Sequence, residues 1–91
     1  MQSIAIKEVM FMVDIFNIKR ENNVVSCNYI PENSGKIGAV EIDAETFEVI
    51  NVDYSDYEYG KKLFVSEVRN RIEELLKLNK PLPTDAKSMC F

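Results

Sequence analysis

The run from Ser55 to Asn79 is the only segment with a sustained helical period, and it limits what the rest of the chain can form. Its apolar residues recur at steps of three and four, so they share one helix face. They are Phe64, Val65, Val68, Ile72, Leu75 and Leu76. Ser55 and Glu58 have the spacing of a capping box, and Pro81 follows as a stop signal. The pattern predicts a helix over about residues 57–79.

Four segments before this helix have the composition of strands. The first pair is MFMVDIFNIKR and VVSCNYI, and the second is KIGAVEID and EVINVDY. Asn22 and Asn23 tolerate the positive φ of a tight turn, and AETF joins the second pair. The helical stripe requires an apolar sheet face. We therefore predict an α+β fold, a four-stranded antiparallel β-meander of two hairpins packed by one C-terminal amphipathic helix.

A two-residue turn at Asn22–Asn23 fixes the register of the first hairpin, with Glu21 opposite Val24. The pairs that follow are Ile18 with Cys27 and Phe16 with Tyr29 on one side, and Lys19 with Ser26 and Asn17 with Asn28 on the other. One face is then apolar and the other is polar near the turn.

Farther from this turn, Phe11, Val13 and Ile15 fall on the nominally polar face. Either a bulge shifts the register there, or both faces are covered at that end. With one helix on one face, these three side chains are expected to make the open face apolar. Such a face favours a homodimer or a partner protein.

The 91 residues form a single domain, because a second core could not be buried. For residues 1–9 the sequence leaves three alternatives open: the start of a strand, a short helical turn, or a frayed end. Near the other end, Met89, Cys90 and Phe91 are apolar. They are expected to pack on the sheet or add a short edge strand, with a frayed end as the alternative.

Charge and cysteine content narrow the class of protein. The net charge is −4 and the pI is about 4.8, which argues against direct binding to nucleic acid. Eight acids lie between Glu32 and Glu58, against the single Lys36. No apolar run is long enough to span a membrane, and none resembles a signal peptide. Two cysteines are too few for a disulfide framework, so we expect reduced thiols and a cytoplasmic protein.

The chain contains no histidine, which excludes histidine acid–base chemistry and histidine metal ligation. Cys27 and Cys90 do not have zinc spacing, and the three glycines form no phosphate loop. We therefore predict no enzyme activity, no catalytic residues, no cofactor and no metal. Acids flank the second turn and the helix start, and such groups can also ligate Ca²⁺. The alternative is a solvated turn beside a helix N-terminus that favours acids.

Tyrosines alternate with acids in the most unusual local stretch of the chain. Its candidate interaction residues are Tyr54, Asp56, Tyr57, Glu58 and Tyr59. Tyrosine is enriched at protein interfaces, and the acids could imitate a nucleic-acid backbone. The alternative is that one tyrosine packs under the helix while the rest are solvated. The lysines and arginines of the helix lie among glutamates, which indicates a mixed-charge solvated face.

Residues 40–50, VEIDAETFEVI, resemble the V-x-V-D-x-x-T-G-E-V hairpin that recurs in PepSY-type domains. Phe47 stands where that pattern has glycine, so Phe47 carries strain or the turn differs. The longer pattern of two hairpins and a helix resembles small uncharacterised bacterial β4-α proteins. The resemblance implies a fold and brings no catalytic residues with it.

We expect a non-enzymatic protein-interaction or regulatory module that binds a protein partner or a second copy of itself. One alternative is an acidic inhibitor that occupies a nucleic-acid-binding site on another protein. Another is a carboxylate-based domain that binds a divalent metal. No direct binding to nucleic acid or membrane is expected.

Overall fold

The computed structural model describes residues 11–58 and 63–90, in which five strands and one helix form an α+β fold. The elements are β1 (Phe11–Glu21), β2 (Val24–Pro31), β3 (Gly38–Asp43), β4 (Val49–Asp53), α1 (Leu63–Lys77) and β5 (Asp85–Cys90). They form one antiparallel sheet in the order β4-β3-β2-β1-β5. The predicted meander and the C-terminal edge strand are both confirmed. Residues 1–9 and Phe91 lie outside the described part of the chain.

The core lies between α1 and one face of the sheet. The buried helix residues are Phe64, Val65, Val68, Ile72 and Leu75, and Leu76 packs partly buried beside them. They meet the buried alternate residues of the inner strands, namely Val25, Cys27, Tyr29, Val40 and Ile42. Ser88 of β5 donates a hydrogen bond to Glu67, which ties the helix to the edge strand. The helical period and the strand alternation therefore meet as predicted.

A β-bulge in β1 separates two registers of the first hairpin. Next to the turn, Glu21 pairs with Val24 and Lys19 with Ser26, as predicted. Beyond the bulge, Phe16 pairs with Asn28 and Ile15 with Tyr29, so the predicted Phe16–Tyr29 and Asn17–Asn28 pairs are wrong by one residue. Asn17 has a φ of 55°, a left-handed conformation that asparagine tolerates better than most residues.

Because of this bulge, the residues expected on the open face lie elsewhere. Val13 and Ile15 are each 1% exposed, and they belong to the core beneath α1. They do not form an apolar open face, because the extra residue of the bulge reverses which face each side chain takes. The side chain of Phe11 lies outside the described part of the structure.

The helix starts later than the predicted position near residue 57. Tyr57 lies in a turn and Glu58 lies outside the helix, while α1 as described begins at Leu63. Glu58 accepts hydrogen bonds through Oε2 from the backbone N–H groups of Phe64 and Val65, at 2.7 and 3.4 Å. Glu58 thus caps the helix from outside it, in place of the predicted capping box. At the other end α1 stops at Lys77, and Asn79 has a φ of 59°.

Candidate functional site

The sheet face opposite α1 carries an open groove of about 570 Å³ across β1 to β4. Its polar lining consists of Asn17, Lys19, Ser26, Asn28, Glu41, Asn51 and Asp53. These residues alternate along the strands with the buried core residues, so the pleat directs them away from α1. Around the groove the open face therefore carries mainly polar side chains, as the sequence predicts near the Asn22–Asn23 turn. The apolar contribution expected from Val13 and Ile15 does not occur, because both side chains lie in the core.

Side-chain amides connect neighbouring strands across this groove. Asn17 donates through Nδ2 to Asn28 Oδ1 at 3.1 Å, and Asn28 donates to the Gly38 carbonyl at 3.2 Å. Asn51 donates to Glu41 Oε1 at 3.3 Å. The bulge places Asn17 within reach of Asn28, although the two residues are not register partners. These bonds fix amide and carboxylate groups on strands, which is a rigid base for polar recognition.

One row of side chains crosses four strands at the centre of the groove. Lys19 lies opposite Ser26, Ser26 opposite Glu41, and Glu41 opposite Asn51. The row offers a cation, a hydroxyl, a carboxylate and an amide, each on the strand next to the one before it. Such groups suit hydrogen bonding to a polar surface. The sequence predicts the Lys19–Ser26 pair but not its continuation to Glu41 and Asn51, because only the register of the later strands aligns those residues.

The thiol of Cys27 is buried beneath this face and is 4% exposed. Burial raises the pKa of the Cys27 thiol to about 12. At neutral pH the thiol is therefore protonated and shielded, which is the state of a structural cysteine. The side chain of Cys90 lies outside the described part of the structure.

The predicted tyrosine–acid surface divides into structural and exposed residues. Tyr54 is 40% exposed, and Asp56 is also exposed. Tyr57 is half-buried, with its ring centroid 6.0 Å from that of Phe64 and its hydroxyl donating to Glu32 at 3.3 Å. Tyr59 lies outside the described residues. The stretch therefore combines two exposed residues with the half-buried tyrosine of the packing alternative, and the interaction role of the exposed residues stays a prediction.

Glu58, the remaining candidate of that stretch, holds the helix start to the sheet. Its Oε1 accepts a hydrogen bond from Tyr29 Oη at 2.7 Å, and the same hydroxyl oxygen accepts the backbone N–H of Ser55 at 3.0 Å. Burial raises the pKa of Tyr29 above its usual range. Because the second Glu58 oxygen caps α1, this carboxylate is a structural link between β2 and the helix. It is not available to a partner.

Asp43 organises the turn between β3 and β4. Its Oδ1 accepts hydrogen bonds from the backbone N–H groups of Thr46 and Glu45, at 2.9 and 2.7 Å, and from Asn23 Nδ2 at 3.3 Å. The backbone donors at Thr46 and Glu45 are the main reason that the pKa of Asp43 lies below its usual value. Within the described ranges, no group of three or more Cys, Asp or Glu residues is placed to hold a metal ion.

Charged residues on the exposed side of α1 pair with one another. Arg69 and Lys77 contact Glu73 at 2.6 and 2.7 Å, and Arg71 contacts Glu74 at 3.0 Å. The hydrogen bond from Lys77 is the main cause of a lowered pKa at Glu73. These pairs fit the mixed-charge helix face expected from the sequence.

Comparison with known proteins gives no family. No protein-family model matches the chain, and no curated protein or solved structure matches it either. The resemblance of residues 40–50 to PepSY-type hairpins therefore stays a prediction. In residues 11–58 and 63–90, no helix has the length and apolar character needed to cross a membrane.

Proposed function

We propose that this chain is a small protein-interaction module that binds its partner through the open face of the sheet. The observation that carries the proposal is the polar groove opposite α1, with amides and carboxylates fixed on four strands. Free strand faces of this kind present an ordered array of hydrogen-bonding groups without further rearrangement. The module needs no catalytic residue.

Two arginine substitutions at serines test this assignment. Ser26 lies in the central row of the groove, and Ser66 lies exposed on α1. Ser26→Arg places a long charged side chain in the groove, whereas Ser66→Arg makes the same chemical change on the opposite side of the molecule. Tagged wild-type and variant proteins are compared by affinity purification from a lysate of the source organism with quantitative mass spectrometry.

We expect one partner to be retained by the wild type and by Ser66→Arg and lost from Ser26→Arg. Circular dichroism and the thermal midpoint first establish that both variants fold. Equal retention by both variants would place the interface outside the groove and contradict the proposal. Retention of the chain itself as the single partner would identify the homodimer that the sequence also allows, which analytical ultracentrifugation then measures.

A second candidate function is an acidic inhibitor that occupies the nucleic-acid-binding site of another protein. One observation favours it: residues 41–56 contain six acids and neither lysine nor arginine. Four of these acids, Glu45, Glu48, Asp53 and Asp56, are exposed. An array of this kind resembles a phosphate backbone in sign, although it carries less charge.

Neutralising the four exposed acids together, as Glu45→Gln, Glu48→Gln, Asp53→Asn and Asp56→Asn, tests the inhibitor. Asp43 is left unchanged because it holds the turn. For an inhibitor, we expect the partner to leave at high salt, to bind DNA or RNA in competition with this chain, and to be lost from the variant. A partner that stays bound to the variant would exclude this function. The cytoplasmic location is a further prediction, which cell fractionation tests.

A further inference from the structure

Strand β4 is the exposed edge of the sheet. It is the last strand of the order, and no other described strand pairs with its outer side. Four of its five residues are exposed, including Val49 at 38% and Ile50 at 51%. An outer strand presents unpaired backbone N–H and C=O groups, which natural proteins protect with lysine, proline, a β-bulge or a covering element. β4 contains neither lysine nor proline and carries two β-branched apolar residues, although a bulge at Ile50 shifts its register with β3.

The opposite edge strand, β5, is better protected than β4. In β5, Lys87 lies exposed with its ammonium 3.8 Å from Asp14, and Ser88 is held by Glu67 of the helix. A lysine on an edge strand is a device that prevents strand addition. Strand addition is therefore expected at β4.

Charge decides which chemistry fits the β4 edge. The hairpin of residues 41–56 carries six carboxylates and no cation, and Glu48 and Asp53 lie at the two ends of β4. A second copy adding at the same edge would bring two such acidic hairpins together, which is unfavourable at moderate salt. A segment that carries lysine or arginine is instead attracted by the same field.

We propose that the outer edge of β4 takes up an extended, basic segment of the partner protein as a sixth strand. This inference rests on the interaction function proposed above and names the chemistry of the partner. Main-chain hydrogen bonds to β4 hold the segment, as in other cases of β-strand addition. Alternate side chains of the segment lie beside Asp53 at the margin of the groove and beside Val49 on the other face, so alternating basic and apolar residues fit best.

A defined probe tests this proposal. The probe is a fluorescein-labelled peptide of about ten residues that alternates lysine and valine, and its binding is followed by fluorescence anisotropy. Two further peptides carry N-methyl groups on the backbone nitrogens of either the lysines or the valines. A bound strand turns only one of these two sets of nitrogens toward β4. We expect one methylated peptide to bind at least about tenfold more weakly and the other to keep its affinity.

Variants of the chain complete the test. Ile50→Lys puts a cation on the edge, and we expect at least about tenfold weaker binding of the lysine–valine peptide. Ser66→Lys adds the same cation on the exposed side of α1, away from the β4 edge, and is expected to change this affinity by less than about threefold. A peptide that alternates glutamate and valine serves as the charge control and is not expected to bind.

Three outcomes would overturn the edge proposal. These are no binding of the lysine–valine peptide, equal effects of the two methylated peptides, and full binding by Ile50→Lys. The fate of the cellular partner separates this failure from failure of the proposed function. A partner that is lost from Ser26→Arg but kept by Ile50→Lys leaves the groove as the interface and excludes the edge. A partner kept by both variants contradicts both proposals.

Discussion

At the scale of single residues, Gly38 and Tyr29 are fitted to each other. Tyr29 is fully buried, and its ring lies over Gly38 on the neighbouring strand. A Cβ atom built at Gly38 would lie 2.4 Å from Tyr29 Cε1 and 2.8 Å from the Ser55 nitrogen. The ring cannot move easily, because its hydroxyl also bonds Ser55 and Glu58. Gly38 is therefore required by close packing, since its φ is not positive.

Gly38→Ala is expected to lower the free energy of unfolding by about 2–3 kcal/mol, because overpacking against a fixed ring forces the backbone to shift. The control is Gly35→Ala, where no atom lies within 4 Å of the added Cβ. Gly35 has a φ of 75°, so its substitution costs about 1 kcal/mol through backbone strain alone. Urea unfolding of the two variants measures the difference. Equal destabilisation would show that Tyr29 yields and that its packing on Gly38 does not constrain the fold.

At the scale of elements, the turn between β3 and β4 is joined to the helix through Phe47. Its φ is 65°, so the phenylalanine adopts the conformation that the similar hairpin pattern gives to glycine. The Phe47 carbonyl accepts a hydrogen bond from Arg69 Nε at 2.8 Å, and Lys77 lies 5.5 Å from the ring centroid. A cation near an aromatic face is favourable. Interactions with α1 thus help to offset the local strain.

Comparison of Phe47→Gly with Phe47→Ala isolates that strain. Both variants lose the ring, but only alanine keeps the unfavourable φ. We therefore expect the glycine variant to be more stable than the alanine variant by about 1 kcal/mol. Thr46→Gly and Thr46→Ala are the control, because Thr46 has no positive φ. At this position we expect the alanine variant to be more stable than the glycine variant. A more stable alanine variant at position 47 would mean that the turn relaxes to another conformation.

The elements show how far the sequence predicts this fold. The stripe from Phe64 to Leu76 and the Asn22–Asn23 turn depend on local periodicity and turn chemistry, and the sequence predicts both correctly. The sequence leaves the bulge at Asn17 as an open alternative, because a shift by one residue gives no local change in composition. An asparagine inside a strand, which tolerates positive φ, is the signal that indicates it. The predicted helix start is wrong because Glu58 is held outside the helix by Tyr29 and caps it from there.

At the scale of the whole molecule, the buried thiol of Cys27 reports on global unfolding. Its pKa is about 12 in the folded protein, against 9.0 for an unperturbed thiol. Above pH 9 the unfolded chain loses this proton while the folded chain keeps it, so deprotonation stabilises the unfolded state. The buried, protonated Cys27 thiol therefore makes its full contribution to the free energy of unfolding below about pH 9. This contribution is lost as the pH rises toward 12.

We expect a loss of stability of about 1 kcal/mol from this thiol between pH 8 and pH 10. The comparison uses Cys90→Ser and the double variant Cys90→Ser with Cys27→Ala, which share all other titrating groups. Urea unfolding at each pH should give a steeper decline for the chain that keeps Cys27. Parallel pH profiles would show that Cys27 ionises equally in both states. Reaction of the same thiol with Ellman's reagent should be slow unless urea is added.

The interaction surface is harder to predict than the fold. Sequence patterns place residues on faces, but the groove row of Lys19, Ser26, Glu41 and Asn51 exists only through the register of four strands. The alternation assigns Val13 and Ile15 to the open face, whereas they belong to the core because the bulge reverses their faces. Asp56 and Tyr54 are exposed as expected. Local patterning therefore identifies the elements, whereas the faces of β1 and the row across the groove also depend on the bulge and the register.

The pairing of β5 with β1 has a consequence for the order of folding. Strands β1 to β4 join by short connections, whereas β5 follows α1 in the chain and pairs with β1 from the far end of the described residues. Closing so long a loop is entropically slow, and strand pairs that form early make the remaining loop shorter. We therefore expect the two hairpins to form first and β5 to dock last. Until then β1 is itself an unprotected edge, and the half-finished sheet is open to mispairing on both sides.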